Sequence, residues 1–176
     1  VASRALTAYA NVATAFETPT TTELSSRPAA AGGFNPDLGP QHVGTIEAGI
    51  RGEFDRLTYT ATAFQTSYRD AIVQYLESNG RAYFRNAGKT RNQGVEIGLT
   101  AAVASWLDAN AAWTESHYRF TRYLAPRTAT ITDTLDGKRV AGVPDRFVRV
   151  GARTRFRSVP LDVDHTWSGT VFGDDR

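Results

Sequence analysis

The chain has 176 residues, enough for one domain with a core, a formal charge of +2, a pI near 9.1 and no cysteine. No run approaches the ~20 consecutive apolar residues of a membrane helix, which excludes a helical membrane protein, and the lack of cysteine removes disulfides, thiolate metal sites and thiol nucleophiles. Basic and acidic residues are interspersed rather than gathered into a stripe, so nucleic acid is not an expected partner. The hydrophobic share of 41% looks soluble. It equally suits a membrane β-barrel, whose strands average lipid-facing and lumen-facing residues to a polar composition.

About seven segments alternate apolar and polar residues in the manner of barrel strands, and helical periodicity is only fragmentary. The first, Leu6 to Phe16, is too rich in alanine to phase. Val43 to Glu53 puts Ile46, Ala48 and Ile50 on one face and Thr45, Glu47, Gly49 and Arg51 on the other. Leu57 to Tyr68 sets Leu57, Tyr59, Ala61 and Ala63 against repeated threonines at 58, 60, 62 and 66. Thr90 to Val103 sets Val95, Ile97, Leu99, Ala101 and Val103 against Glu96, Gly98 and Thr100. Trp106 to Phe120 sets Leu107, Ala109, Ala111 and Trp113 against Asp108, Asn110, Thr114 and Ser116. Phe147 to Phe156 carries Val148, Val150, Ala152 and Phe156 opposite Arg149, Arg153 and Arg155. Leu161 to Phe172 carries Leu161, Val163, Trp167 and Val171 opposite Asp162, Asp164, Thr166, Ser168 and Thr170.

The connections alternate in length. Gly52–Arg56, Ala104–Ser105 and Arg157–Pro160 read as tight turns, whereas Glu17–His42, Arg69–Lys89 and Thr121–Asp145 read as long loops. Outer-membrane barrels show this asymmetry, with short turns in the periplasm and long loops outside the cell. Alternation alone does not separate a lipid-facing apolar side from the core of a soluble sandwich. The small aliphatics, with Tyr59 and Trp113 towards strand ends, favour lipid. Across the Arg157–Pro160 turn, Arg155 is expected near Asp162 and Arg153 near Asp164.

Catalytic signatures are absent. His42, His117 and His165 have no metal-ligand spacing, there is no nucleophile elbow, phosphate loop or dinucleotide fingerprint, and Glu47 and Glu96 read as structural ion-pair partners rather than an acid–base pair. The chain is not expected to be an enzyme or to carry a cofactor or metal.

Four signatures at strand entries and exits stand out instead. They are Phe16-Glu17-Thr18-Pro19 through Glu23-Leu24, Phe34-Asn35-Pro36-Asp37-Leu38-Gly39-Pro40-Gln41 leading into Glu47-Ala48-Gly49-Ile50-Arg51, Phe64 through Asp70-Ala71-Ile72, and Asn86-Ala87-Gly88 through Gly94-Val95-Glu96. In order and spacing they resemble the C-terminal half of the TonB-dependent outer-membrane receptor barrel, over about Ala8 to Phe156; Gln41 stands where that family usually has Glu. As physics they read as architecture: Asn-Pro and Gly-Pro turns return a long loop to the rim, and Asn86-Ala87-Gly88 and Gly94 suit bends or bulges at a strand entering from a loop. The functional alternative is that Asn86 or Arg91 touches substrate.

The resemblance implies an all-β, antiparallel up-and-down transmembrane β-barrel of about 22 strands holding a plug, of which residues 1–176 are an incomplete single-domain portion. The chain opens inside a strand and stops at Asp174-Asp175-Arg176 without a closing element, so a piece of a longer polypeptide is expected. The implied function is active import across the bacterial outer membrane of a scarce ligand, a ferric siderophore first, with energy passed by the TonB complex to the missing N-terminal part. The implied partners are outer-membrane lipid, TonB and the small ligand. Ligand-contact candidates in the outer loops are Tyr75, Arg81, Tyr83, Tyr118, Arg119, Arg122 and Tyr123. The alternatives are a passive porin or adhesin barrel and a soluble all-β binding domain.

Overall fold

The structure, a computed structural model, describes residues 5–25, 27, 33–76, 80–126, 132–156 and 159–173. Its elements are β1 (Ala5–Glu17), a one-turn helix α1 (Thr21–Ser25), β2 (Gln41–Phe54), β3 (Leu57–Leu76), β4 (Ala82–Ala104), β5 (Leu107–Pro126), β6 (Thr132–Thr134), β7 (Arg146–Phe156) and β8 (Val159–Ser168). Seven of these strands form one antiparallel meander in the order β1-β2-β3-β4-β5-β7-β8, and the short β6 folds back on β5. All seven strands expected from the alternation are present, and over the described residues the sheet is open rather than closed.

The tight turns hold at one end of the meander. Phe54 pairs with Leu57 across Asp55-Arg56, where Asp55 takes the left-handed φ of 55° that a two-residue hairpin turn demands. Ala104 pairs with Leu107 across Ser105-Trp106. Phe156 pairs with Val159, and the intervening Arg157 and Ser158 lie outside the described residues. That pairing shifts the expected register by two residues. Arg153 meets Asp162 at 2.6 Å, Arg149 meets Asp164 at 3.2 Å, and Arg155 reaches back to Asp108 on β5. The correction arises because Val159 and Pro160 belong to β8 and not to the turn, so the hairpin is closed by two residues rather than four.

At the other end the expected Arg69–Lys89 loop is largely a hairpin. β3 continues to Leu76 and β4 begins at Ala82, after a bulge at which Asp70 adopts φ 57° and the register slips twice between Tyr68 and Ile72. Likewise β5 runs on to Pro126 and pairs with β6 inside the expected Thr121–Asp145 loop.

Cross-strand partners share a face, so the register sorts the side chains. One face carries the row Ala8–Ile50–Ala61–Ile97–Trp113–Val148–Trp167 and its neighbours. It is uncovered: Leu99 is 42% exposed, Val12 75% and Val163 58%. Its upper edge descends across the sheet, from Ile46 on β2 to Ala63 and Val95 on β3 and β4, then to Trp113 and Val148 on β5 and β7. A belt of constant height looks like this when strands are tilted. Trp113 and Trp167 mark its upper edge, and Phe54 and Trp106 its turn end.

The opposite face is polar. Tyr9 lies over Gly49, where a Cβ would come within 2.7 Å of the ring, and shares a 2.6 Å hydrogen bond with Thr62. Of the two sites expected to bend or bulge, Asn86–Gly88 does, with Ala87 as the extra residue between the Asn86 and Gly88 pairs, and Gly94 is a regular ladder position. It pairs regularly with Phe64 and Ser116, and an added Cβ would sit 2.3 Å from the Glu115 carbonyl oxygen, so glycine permits close strand approach there.

Candidate ligand-binding rim

The buried apolar side chains among the described residues are Leu38, Val73, Tyr75, Phe120 and Leu135, all at the long-loop end. Among the described residues, then, the buried apolar side chains lie above the apolar belt, where strand extensions and loops fold against one another.

The sequence signatures build this rim. Thr20 and Glu23 form a reciprocal capping box on α1, with the Glu23 carboxylate accepting from the Thr20 amide at 2.6 Å and the Thr20 hydroxyl accepting from the Glu23 amide at 3.3 Å. The Asn35 amide donates to the Leu24 carbonyl at 2.7 Å, and its side chain donates to the Phe84 carbonyl at 3.2 Å. Asn86 is the clamp. Its Nδ2 donates to the carbonyls of Gly39 (2.9 Å) and Asp70 (2.7 Å), while its Oδ1 accepts from the Gly39 amide (2.7 Å). One side chain thus ties the Asn-Pro loop, the β3 bulge and β4 together. Asn86→Ala leaves those backbone groups unpaired at a cost of about 1–3 kcal/mol. In the full-length protein on intact cells, the 33–40 segment of this variant should become cleavable by added protease while the barrel remains assembled. Unchanged cleavage would refute the clamp.

The seven candidate contact residues do not sit in loops as expected. Arg81 alone lies between strands; Tyr75 is on β3, Tyr83 on β4, and Tyr118, Arg119, Arg122 and Tyr123 are on the outer extension of β5. The structure then divides them by side. Tyr75 is 2% exposed, donates its hydroxyl to the Leu124 carbonyl at 2.8 Å, stacks on Tyr83 at 5.6 Å and lies under the Arg85 guanidinium at 4.0 Å. It holds the β3–β4 hairpin against β5. Tyr123 packs against Phe120 at 4.6 Å, on the side where Gly88 is pressed between its ring and Ala71. Tyr118 pairs with Asn92 on the polar face, 6.1 Å from the ring of Tyr68. Arg119 pairs with Arg91, and Arg122 with Lys89, in rows on the other side, continuous with the apolar face. Arg91 therefore points away from Tyr118, and Asn86 is occupied by the clamp.

Two residues that the sequence reading did not single out complete the polar-face cluster. Tyr68 continues the threonine face beyond Thr66, so the period of two contained the signal. Its phenol pKa is raised by burial first and by Tyr118 second, so it remains a neutral donor at physiological pH. Asn92 carries a buried Oδ1 with no hydrogen-bond partner among the described residues. With Thr90 donating to the Tyr118 hydroxyl at 3.3 Å, the rim offers aromatic rings and neutral polar groups on the polar face. Glu47 and Glu96 fall in different rows with β3 between them, so they form no carboxylate pair.

The family model for the TonB dependent receptor-like β-barrel matches residues 2–176. Among solved structures, the siderophore receptor PiuA from Acinetobacter baumannii is similar with a TM-score of 0.72 at 18% identity, over 97% of this chain and 25% of that one. The ferric yersiniabactin uptake receptor FyuA from Yersinia pestis gives 0.69 at 19% identity, over 97% and 24%. The copper transporter OprC gives 0.68 at 16%, over 93% and 24%. At these identities the likeness is one of fold, and the chain spans about a quarter of each of these structures.

Proposed function

Because the chain belongs to the TonB-dependent receptor β-barrel family, we propose that it forms part of the outer-membrane wall of an active importer whose ligand is a ferric siderophore. That family consists of outer-membrane transport receptors rather than enzymes. In this reading residues 1–176 are one portion of a single barrel domain. The apolar face meets lipid, the polar face lines the lumen around a plug, and the β3–β4 and β5–β6 extensions stand outside the cell. TonB acts through parts of the protein outside this sequence.

The observation that carries the reading is the uncovered apolar belt on a tilted meander with all tight turns at one end. A soluble domain rarely leaves so continuous an apolar face in water. Siderophore as the ligand draws on relatives such as PiuA, a siderophore receptor, and FyuA, a ferric yersiniabactin uptake receptor. It also draws on the chemistry of the rim, where Tyr68, Tyr83, Tyr118 and Tyr123 offer stacking surfaces and phenol donors to a bulky chelate.

Sidedness tests the reading. Single cysteines at Asp136 and at Asp55 of the full-length receptor are labelled on intact cells with an impermeant reagent. Labelling is expected at Asp136 alone, and labelling at Asp55 alone reverses the topology and refutes the assignment.

A further inference from the structure

The rim sorts its charges by side. On the polar face, two whole rows across β2 to β5 carry no charged side chain: Val43–Tyr68–Thr90–Phe120 and Thr45–Thr66–Asn92–Tyr118. Residues that alternate with them face the other way, and there Arg91 lies opposite Arg119 and Lys89 opposite Arg122. The flanks of the uncharged rows add one acid and one base. These are Glu47, opposite Phe64 in the row below, and Lys138, whose carbonyl accepts from the Phe120 amide. Within the rows one polar atom is left over, the buried Oδ1 of Asn92, which has no hydrogen-bond partner among the described residues. Its row neighbours are committed elsewhere: the Thr45 and Thr66 hydroxyls bond each other at 3.0 Å, and the Tyr118 hydroxyl accepts from Thr90 at 3.3 Å. A buried acceptor without a donor is costly and calls for a partner.

The chemistry of the patch selects among iron chelates. Tyr118 accepts from Thr90 and keeps its own phenol proton to donate, and the Tyr68 phenol stays protonated because burial and Tyr118 raise its pKa. The two rings lie 6.1 Å apart. Neutral donors beside one spare amide acceptor suit a ligand that shows oxygen acceptors and N–H groups without net charge. Two common iron-chelating groups differ in this respect. Three hydroxamates, each losing one proton, neutralise a ferric ion, whereas three catecholates, each losing two, leave a trianion. Seating a trianion here would strip its hydration with no cation in either row to replace it. We propose that the Tyr68–Asn92–Tyr118 patch is a subsite for an uncharged ferric trishydroxamate, and that Asn92 Oδ1 accepts an amide N–H of the chelate once a neighbouring side chain turns aside. The proposal rests on the reading of the protein as a siderophore importer and narrows the class of its ligand.

The test compares chelates on the purified full-length receptor by fluorescence quenching, with ferrichrome and ferric coprogen as uncharged trishydroxamates and ferric enterobactin as the tricatecholate trianion. The parent should bind both trishydroxamates about tenfold or more tightly than the trianion. Asn92→Leu should weaken ferrichrome about tenfold and leave ferric enterobactin unchanged. Its thermal stability should not fall, because the substitution removes an acceptor that nothing in the fold satisfies; a merely structural role for Asn92 would lower stability and weaken every chelate alike. Tyr118→Arg places a cation in the row and should reverse the preference. Parental binding of ferric enterobactin as tight as that of the trishydroxamates overturns the proposal, and so does ferrichrome binding that Asn92→Leu leaves intact. TonB-dependent uptake of ferric enterobactin in that event defeats the subsite alone and keeps the importer reading. Binding of none of the three chelates overturns both.

Discussion

Leu99→Arg in the full-length receptor should sharply reduce the folded barrel recovered from outer-membrane fractions, while Thr100→Arg should leave it near the parental amount. Leu99 lies mid-belt on β4, between Tyr59 and Ala111, and is 42% exposed on the uncovered face. An arginine at that depth on the lipid side of a barrel costs about 2–4 kcal/mol, which is roughly 30- to 1,000-fold in a folding equilibrium. Thr100 lies between Thr58 and Asn110 on the polar face, where a guanidinium stays hydrated. The neighbouring positions differ by one residue and so by one face. Equal recovery of the two variants would mean that the apolar face is covered by protein or by water and not by lipid.

The belt was the legible part of this sequence, because a sheet with one apolar and one polar face imposes a strict period of two. From Val95 to Val103 every second residue is apolar, and the β4 phase read from that pattern matches the observed register. Above the belt both faces meet water or loops, the pattern loses its physical cause, and the strand ends became invisible. Hence β3 was expected to stop at Tyr68 and β4 to begin at Thr90, although their hairpin continues through Leu76 and Ala82. The three-residue β6 is too short to show any period. The helix α1 did carry a readable signal, the Thr20-x-x-Glu23 capping box, which was taken only as part of a family signature. The Arg153–Asp162 register was missed by two residues because a proline after a turn was counted in the turn.

The same loss of pattern explains the mixed fate of the contact candidates. Their residue types were informative, but their sides depend on bulges that composition does not encode. Thr121 is the extra residue between the Thr90–Phe120 and Lys89–Arg122 pairs, and it decides that Arg122 follows Arg119 to the outer side while Tyr123 turns inward. The second large effect follows from that division. Tyr118→Ala combined with Tyr68→Ala should lower ferric siderophore binding by the full-length receptor at least tenfold, through lost stacking and two lost phenol groups worth about 1.4 kcal/mol or more together. Arg122→Gln should leave binding within about twofold, since rim charges away from a contact contribute little. A larger loss for Arg122→Gln than for the tyrosine pair would place the ligand on the opposite side of β5.

Uptake measured in paired strains tests the central claim most directly. Cells expressing the full-length receptor, with and without a functional TonB complex, are given a radiolabelled ferric siderophore at a concentration too low for passive entry. Accumulation should require TonB and should fall in the Tyr68/Tyr118 double variant. Accumulation that proceeds equally without TonB would contradict the account and assign this barrel to passive diffusion.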